Sequence, residues 1–328
     1  MPDPLLYVQA MVCAASVSAL CVLTMVAARR TAGKTLLNVA CVIGIGLGLA
    51  VGCGVLSLHP SWPPANALDR FFAIVLPVVL GIELVAGIQC VPSWGAWFLR
   101  IGLAAAIPRI LLHGSVYLSG SDIDWPPGRV YTALVLCGAM LMGVWALLAL
   151  LARRSPGVSV TFALCLTIQC AGLTVMMAGY IKGGAAAFLL VAALMATTIA
   201  ATLITKRFRA TNFDATAITG IAAVSLLGVL FIGHFFGRLS TGSALTMLLA
   251  PLLCWVTEMP RLRHRKPWLV GSLRIVLVAI PLAVVLGLAK REFDRDMAPL
   301  LGTNSPLLLA VSAKVIDTEA AVKQSLIR

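Results

Sequence analysis

Charged residues are scarce in this chain of 328 residues, and acidic residues are the scarcest of them. Only 11% of the sequence is Asp, Glu, Lys or Arg, whereas a soluble globular domain carries about 25%. Hydrophobic residues make up 60% of the chain, and its mean hydropathy is +1.01. A soluble globular protein is excluded by this balance.

Motifs that carry catalytic or cofactor chemistry are also missing. The sequence contains no HExxH, no GxGD and no CxxC pair, although it has nine cysteines. All of these except Cys90 lie well inside hydrophobic stretches, so we interpret them as small apolar packing residues. The four histidines do not provide the two pairs of axial ligands that are common in b-type haem carriers. We therefore predict no cofactor.

Ten hydrophobic stretches, by contrast, fill residues 5–288 and leave only short loops between them. Each has about the 20 residues that a helix needs to cross a bilayer, and such uniformly apolar stretches do not suit barrel strands. We predict an all-α integral membrane protein, with a ten-helix domain at 1–289 and a tail at 290–328. The predicted spans are Leu5–Ala28, Thr35–Leu58, Phe71–Val91, Ala96–Leu118, Val130–Ala152, Gly157–Tyr180, Ala185–Thr205, Ala215–Phe236, Ser240–Val256 and Trp268–Leu288.

Positive charges predict how these spans are oriented. Loops after odd-numbered spans carry twelve basic residues, and loops after even-numbered spans carry four. Basic loops stay in the cytoplasm, so we predict a multi-pass protein of the plasma (inner) membrane with both termini extracytoplasmic. The net charge of +13 then indicates contact with anionic lipids at the cytoplasmic face and not with nucleic acid. The twelve are Arg29, Arg30, Lys34, Arg153, Arg154, Lys206, Arg207, Arg209, Arg261, Arg263, Arg265 and Lys266; the four are Arg70, Arg129, Lys182 and Arg238.

Two charges deep within neighbouring spans form the first candidate site. Glu83 lies about 12 Å and Arg109 about 20 Å from the cytoplasmic ends of spans three and four, at 1.5 Å per residue. Their side chains lean toward each other, because helical side chains point toward the N-terminus of their own helix. An unpaired charge costs about 2.5 kcal/mol or more at mid-membrane, which favours pairing.

Two interpretations of this predicted pair stay open: a substrate- or proton-binding site with His113 as an accessory, or a structural ion pair. Arg100 and Arg274, nearer the cytoplasmic ends, are expected to extend to the membrane surface.

Glycines in the second span form a second notable feature. Gly44, Gly48 and Gly52 recur every four residues and leave one helix face almost without side chains. Such a face lets another backbone approach closely, so we predict a helix-packing surface. The other helix belongs to this chain, to a second copy or to a membrane partner. Alternatively, the glycines line a pore or a sliding seam.

The outer loop after the fourth span suggests an alternative function. Asp122 and Asp124 have the DxD spacing with which two carboxylates hold a divalent cation against a phosphate. This weak metal-site candidate would suit a membrane enzyme that acts on a lipid-linked substrate at the outer face. A solvated turn explains the same residues more simply, because no outer loop is long enough to grip a large acceptor.

The sequence is therefore compatible with three functions. Movement of a small solute or ion through a buried Glu83–Arg109 site is favoured, because the chain has many helices and buried charge. The enzyme and a structural or accessory membrane subunit are the alternatives. The tail from Ser305 has an apolar stripe typical of an amphipathic helix at the membrane surface.

Overall fold

The computed structural model of the protein describes residues 4–29, 33–88, 91–115, 118, 127–154, 158–207, 215–259, 262 and 266–297. Helices account for nearly all of these residues, and no β-strand occurs among them. Ten of the helices are long and apolar enough to cross a membrane. The prediction of an all-α, multi-pass membrane protein with ten spans is confirmed. The identity of the membrane and the side on which each terminus lies stay predictions.

We number these helices α1 to α10 in chain order. Eight of them are continuous α-helices, whereas α3 contains a π-helical segment at Phe71–Val75 and α9 continues as a 3₁₀-helix at Ala250–Glu258. The bounds are α1 Pro4–Arg29, α2 Lys34–Val55, α3 Ala67–Ile88, α4 Ser93–Leu112, α5 Pro127–Arg154, α6 Ser159–Met177, α7 Ile181–Arg207, α8 Thr216–Phe236, α9 Thr241–Leu249 and α10 Pro267–Met297.

Apolar side chains cover the outside of the bundle as well as its core. Leu20, Val135 and Ile280 are each more than half exposed, and many other large aliphatic residues are exposed with them. A helix at the surface of a soluble protein turns polar residues outward. The outward apolar faces seen here fit hydrocarbon.

The centre of the bundle is α8, whose residues are buried without interruption from Thr216 to Gly233. It packs against α2, α3, α5, α6 and α7. Around it, α1 pairs with α2 and α7, and α4 packs between α3 and α5. Polar groups that project toward α8 from α3 or α5 therefore lie inside the protein.

The glycine face of α2 packs against α1 of the same chain. A Cβ atom on Gly48 would lie 2.6 Å from the backbone oxygen of Ala14, and one on Gly44 would lie 3.0 Å from that of Ser18. A Cβ atom on Gly52 would meet Ala14 and α7 at 3.0 Å. Only glycine lets the two backbones come this close. A role for this face in binding a partner or a second copy stays a prediction.

Prolines account for the irregular helices. Pro77 has no N–H to donate to the carbonyl of Ala73, and the π-helical segment ends two residues before it, at Val75. Pro251 likewise stands at the start of the 3₁₀-helix that ends α9. Pro108 lies within α4, which stays helical to Leu112.

The fourth span ends earlier than predicted. Helix α4 stops at Leu112 rather than Leu118, and Gly114 two residues later has a φ of +65°. This left-handed conformation commonly ends helices and favours glycine. Arg109 consequently lies in the last turn of α4 rather than deep within it.

The chain divides into two compact units, Met1–Leu286 and Gly287–Arg328. Helix α10 continues past the predicted end of its span, Leu288, as far as Met297. The predicted amphipathic helix after Ser305, and the loop with Asp122 and Asp124, lie outside the described residues.

Candidate functional site

A buried ion pair joins α3 to α4 beside the central helix. Arg100 Nε donates to one oxygen of the Glu83 carboxylate at 2.9 Å, and Arg100 Nη2 donates to the other at 2.7 Å. The two side chains are only 4% and 1% exposed. Two parallel bonds to one carboxylate are the strongest arrangement that arginine makes, and they fix both side chains in position.

Aromatic rings and a glycine shape the space around this pair. The guanidinium carbon of Arg100 lies 5.1 Å from the ring centre of Trp97 and 5.8 Å from that of Trp145, within the range of cation–π attraction. On α8, a Cβ atom at Gly220 would lie 2.7 Å from Glu83 Oε1 and 2.9 Å from Trp145 Nε1. Gly220 therefore provides the room into which the carboxylate fits.

The predicted pairing of Glu83 with Arg109 is wrong, and so is the prediction that Arg100 extends to the membrane surface. Arg109 is exposed, and Arg100 occupies both carboxylate oxygens. Nine residues of α-helix turn the chain by two and a half turns, which places the two arginines on opposite faces of α4. The buried face of α4 is the one that contains Arg100, Ala104 and Ile107.

Both sequence-predicted companions of Glu83 lie away from it. Arg109 sits three residues before the end of α4, where its long side chain can reach the membrane surface, and His113 is the exposed residue that follows the helix. A binding role for either residue stays a prediction, and the structure does not bring them to the ion pair.

A cavity of about 600 Å³ extends from the ion pair to one end of the bundle. Its walls come from five helices, namely α2, α3, α4, α5 and α8. Its polar and charged lining residues are Asn38, Glu83, Ser93, Arg100, Arg153 and Thr216, together with smaller apolar residues such as Gly87, Ala96 and Ala217. These residues lie at the end of the bundle where α3 ends and α4 begins, which the sequence predicts to face the cytoplasm. The volume is in the range typical of sites for small molecules.

A second buried arginine forms a separate network away from this cavity. Arg274 of α10 is only 2% exposed and donates to Thr257 Oγ1 at 2.7 Å, Ser159 Oγ at 2.8 Å and Glu258 Oε1 at 2.6 Å. The prediction that Arg274 extends to the surface is therefore wrong. All its observed partners belong to helices α6 and α9, and none of them lines the cavity, so this network ties α10 to the bundle.

Other polar residues within the spans do not add to the site. Thr198, Thr202 and Thr205 donate to carbonyls of their own helix α7. His234 bonds the backbone oxygen of Leu239 at 2.8 Å. Among the residues that the structure describes, no group of three or more His, Cys, Asp or Glu side chains could hold a metal ion.

Comparison of the chain with models of protein families, with curated proteins and with solved structures finds no match in any of the three. One signal in the sequence does point to the observed pair: Glu83 and Arg100 stand at similar distances from the turn between α3 and α4. In an antiparallel helix pair, such residues lie at the same depth.

Proposed function

We propose that this polytopic membrane protein moves a small polar solute or ion across the membrane, and that the cavity is one binding position on its path. The observation that supports the proposal is the position of the Glu83–Arg100 pair in the wall of this cavity. A pair that served only to join two helices would need no such space. Ionisable groups within a membrane bundle commonly mark substrate or ion pathways.

Irregular helices on the side of the ion pair away from the cavity also support the proposal. Of the residues of α8, only Thr216 and Ala217, at its start, line the cavity. The rest of α8, as far as Gly233, is buried deeper in the bundle than the cavity. Passage of a solute would therefore need helices to move there. Pro77 in α3 and Pro108 in α4 lie on that side, each about two turns from the charge on its own helix, and the π-helical segment lies just beyond Pro77. Such features weaken local helix bonding and are common where helices bend.

The two alternatives have less support. The enzyme would use Asp122 and Asp124, which lie outside the described residues. An accessory subunit would bind through the glycine face of α2, which α1 occupies here. Neither alternative uses the cavity.

Solute binding in the cavity can be tested by thermal unfolding of the purified full-length protein. A panel of carboxylates, phosphates, amino acids, sugars, amines and inorganic ions would be screened for compounds that raise the Tm, as any ligand specific to the folded state must. Gly87→Leu would fill part of the cavity, because Gly87 lines it beside Asn38. Gly81→Leu, on the same helix but next to open space, is the matched control.

We expect at least one compound to stabilise the wild type and Gly81→Leu but not Gly87→Leu. The same compound should enter proteoliposomes that contain the wild type and not those that contain Gly87→Leu. Stabilisation that Gly87→Leu retains in full would place the binding site elsewhere. Binding without any flux in proteoliposomes would contradict transport.

A further inference from the structure

The charges that line the cavity do not cancel. Glu83 contributes one negative charge, while Arg100 and Arg153 contribute two positive charges, and the remaining lining residues are uncharged. A partly enclosed space with excess positive charge attracts anions, and low-dielectric walls strengthen that attraction. The imbalance indicates the sign of the charge on a bound solute.

Arg100 has N–H groups that Glu83 does not use and that could donate to such a solute. Its bonds to Glu83 use Nε and Nη2, and its Nη1 group donates to none of the described residues. The side chain is 4% exposed and still contributes to the cavity wall. A guanidinium group in a cavity wall can donate to an acceptor in the cavity, and a charged oxygen is the acceptor that it binds most strongly.

Arg153 differs from its neighbour Arg154 in the direction of its side chain. Arg153 lines the cavity, whereas the guanidinium carbon of Arg154 lies 5.4 Å from the ring centre of Trp255, on α9. The two arginines are consecutive in the last turn of α5 and are both exposed. Only the first of them is placed to meet a solute in the cavity.

We infer that the cavity is an oxyanion site, in which a carboxylate or phosphate group accepts hydrogen bonds from Arg100 Nη1 and pairs with Arg153. This inference rests on the proposed function, because it names the class of solute for the same cavity. The walls also contain the polar side chains of Asn38 and Ser93, which can bond the rest of the solute. The same chemistry suits a soluble anion or an anionic lipid headgroup that enters from the membrane surface.

Four small probes test the charge preference at matched ionic strength. Inorganic phosphate and succinate are anions, succinamide is the neutral analogue of succinate, and putrescine is a cation of the same chain length. Each would be titrated against the full-length protein in a non-ionic detergent, with the Tm as the readout. A parallel titration with phosphatidylglycerol, and with phosphatidylcholine as its control, distinguishes a lipid headgroup from a soluble anion.

The matched variants are Arg153→Gln and Arg154→Gln, which remove the same charge from adjacent positions. We expect succinate or phosphate to raise the Tm, and Arg153→Gln to require about two to five times more of the anion for the same shift, as for an exposed ion pair. Arg154→Gln should bind the anion as the wild type does. If phosphatidylglycerol stabilises the protein and the soluble anions do not, and Arg153→Gln alone weakens that effect, the oxyanion belongs to a lipid.

Three outcomes would overturn the inference. In the first, succinamide or putrescine stabilises the protein as well as succinate does; in the second, the two arginine variants lose anion binding equally. In the third, neither the soluble anions nor phosphatidylglycerol shifts the Tm. Stabilisation by succinamide or putrescine that Gly87→Leu abolishes would overturn only the oxyanion class and leave solute binding in the cavity intact. If Gly87→Leu abolishes no stabilisation by any compound, the proposed function fails as well.

Discussion

Removing one member of the Glu83–Arg100 pair should cost far more stability than removing both. Arg100→Met leaves the Glu83 carboxylate buried without its two charge-assisted bonds, and Glu83→Leu leaves the guanidinium in the same position. With exposures of 4% and 1%, each single variant should lose about 3–5 kcal/mol, the usual cost of an uncompensated buried charge. The double variant places apolar side chains of similar volume in an apolar wall, so it should lose about 2 kcal/mol or less.

Reversible unfolding of the purified protein in mixed micelles, by titration with SDS, would measure this double-mutant cycle. We expect strong non-additivity, because the double variant should be more stable than either single variant. Arg109→Met is the control on the same helix, and it should change the free energy of unfolding by about 0.5 kcal/mol or less because Arg109 is exposed. Additive losses in the double variant, or a larger loss from Arg109→Met than from Arg100→Met, would refute the observed pairing.

Three further substitutions test other contacts by the same unfolding measurement. Gly220→Ala should cost about 1–3 kcal/mol, since its Cβ atom would lie 2.7 Å from Glu83 Oε1; a neutral result would mean that the carboxylate lies elsewhere. Gly48→Ala should lower the free energy of unfolding by a similar amount, because its Cβ atom would meet the backbone of α1 at 2.6 Å. Its control, Gly54→Ala, should be neutral, because that Cβ atom meets nothing within 4 Å. Equal effects of the two variants would contradict the packing of α2 on α1. Arg274→Met should cost about 3 kcal/mol because it leaves a mostly buried carboxylate unpaired, and a loss below about 1 kcal/mol would show that the network does not hold α10.

The ten spans could be predicted from the sequence because length and hydropathy decide where a chain crosses a bilayer. The predicted fifth span, Val130–Ala152, falls within α5, and the predicted eighth, Ala215–Phe236, differs from α8 by one residue. Spacing by four also singled out the glycines of α2, whose missing side chains allow α1 to approach. These features depend on local composition, which a single sequence contains.

The partner of Glu83 could not be predicted in this way, because it depends on which face of α4 turns inward. Apolar residues surround that helix on every side, so periodicity does not distinguish the face with Arg100 from the face with Arg109. The depth of Arg109 was also overestimated, since α4 ends at Leu112 and not at Leu118. The cavity could not be predicted from the sequence, because it forms between five helices whose packing a single sequence does not specify.

Access of water-soluble reagents to Ala217→Cys would show whether solutes can enter the cavity at the Glu83–Arg100 pair. Ala217 is 6% exposed, lines the cavity and lies on the otherwise buried helix α8. The variants would be made in a background without the nine native cysteines, and a small charged methanethiosulfonate would be applied from each side of oriented vesicles. Trp94→Cys is the exposed control, because Trp94 is exposed and follows residues that line the cavity at the end of the bundle where α4 begins. We expect Ala217→Cys to react from the side on which Trp94→Cys reacts, and a stabilising solute to slow this reaction. Labelling of Trp94→Cys without any labelling of Ala217→Cys would contradict a solute-accessible cavity at the ion pair.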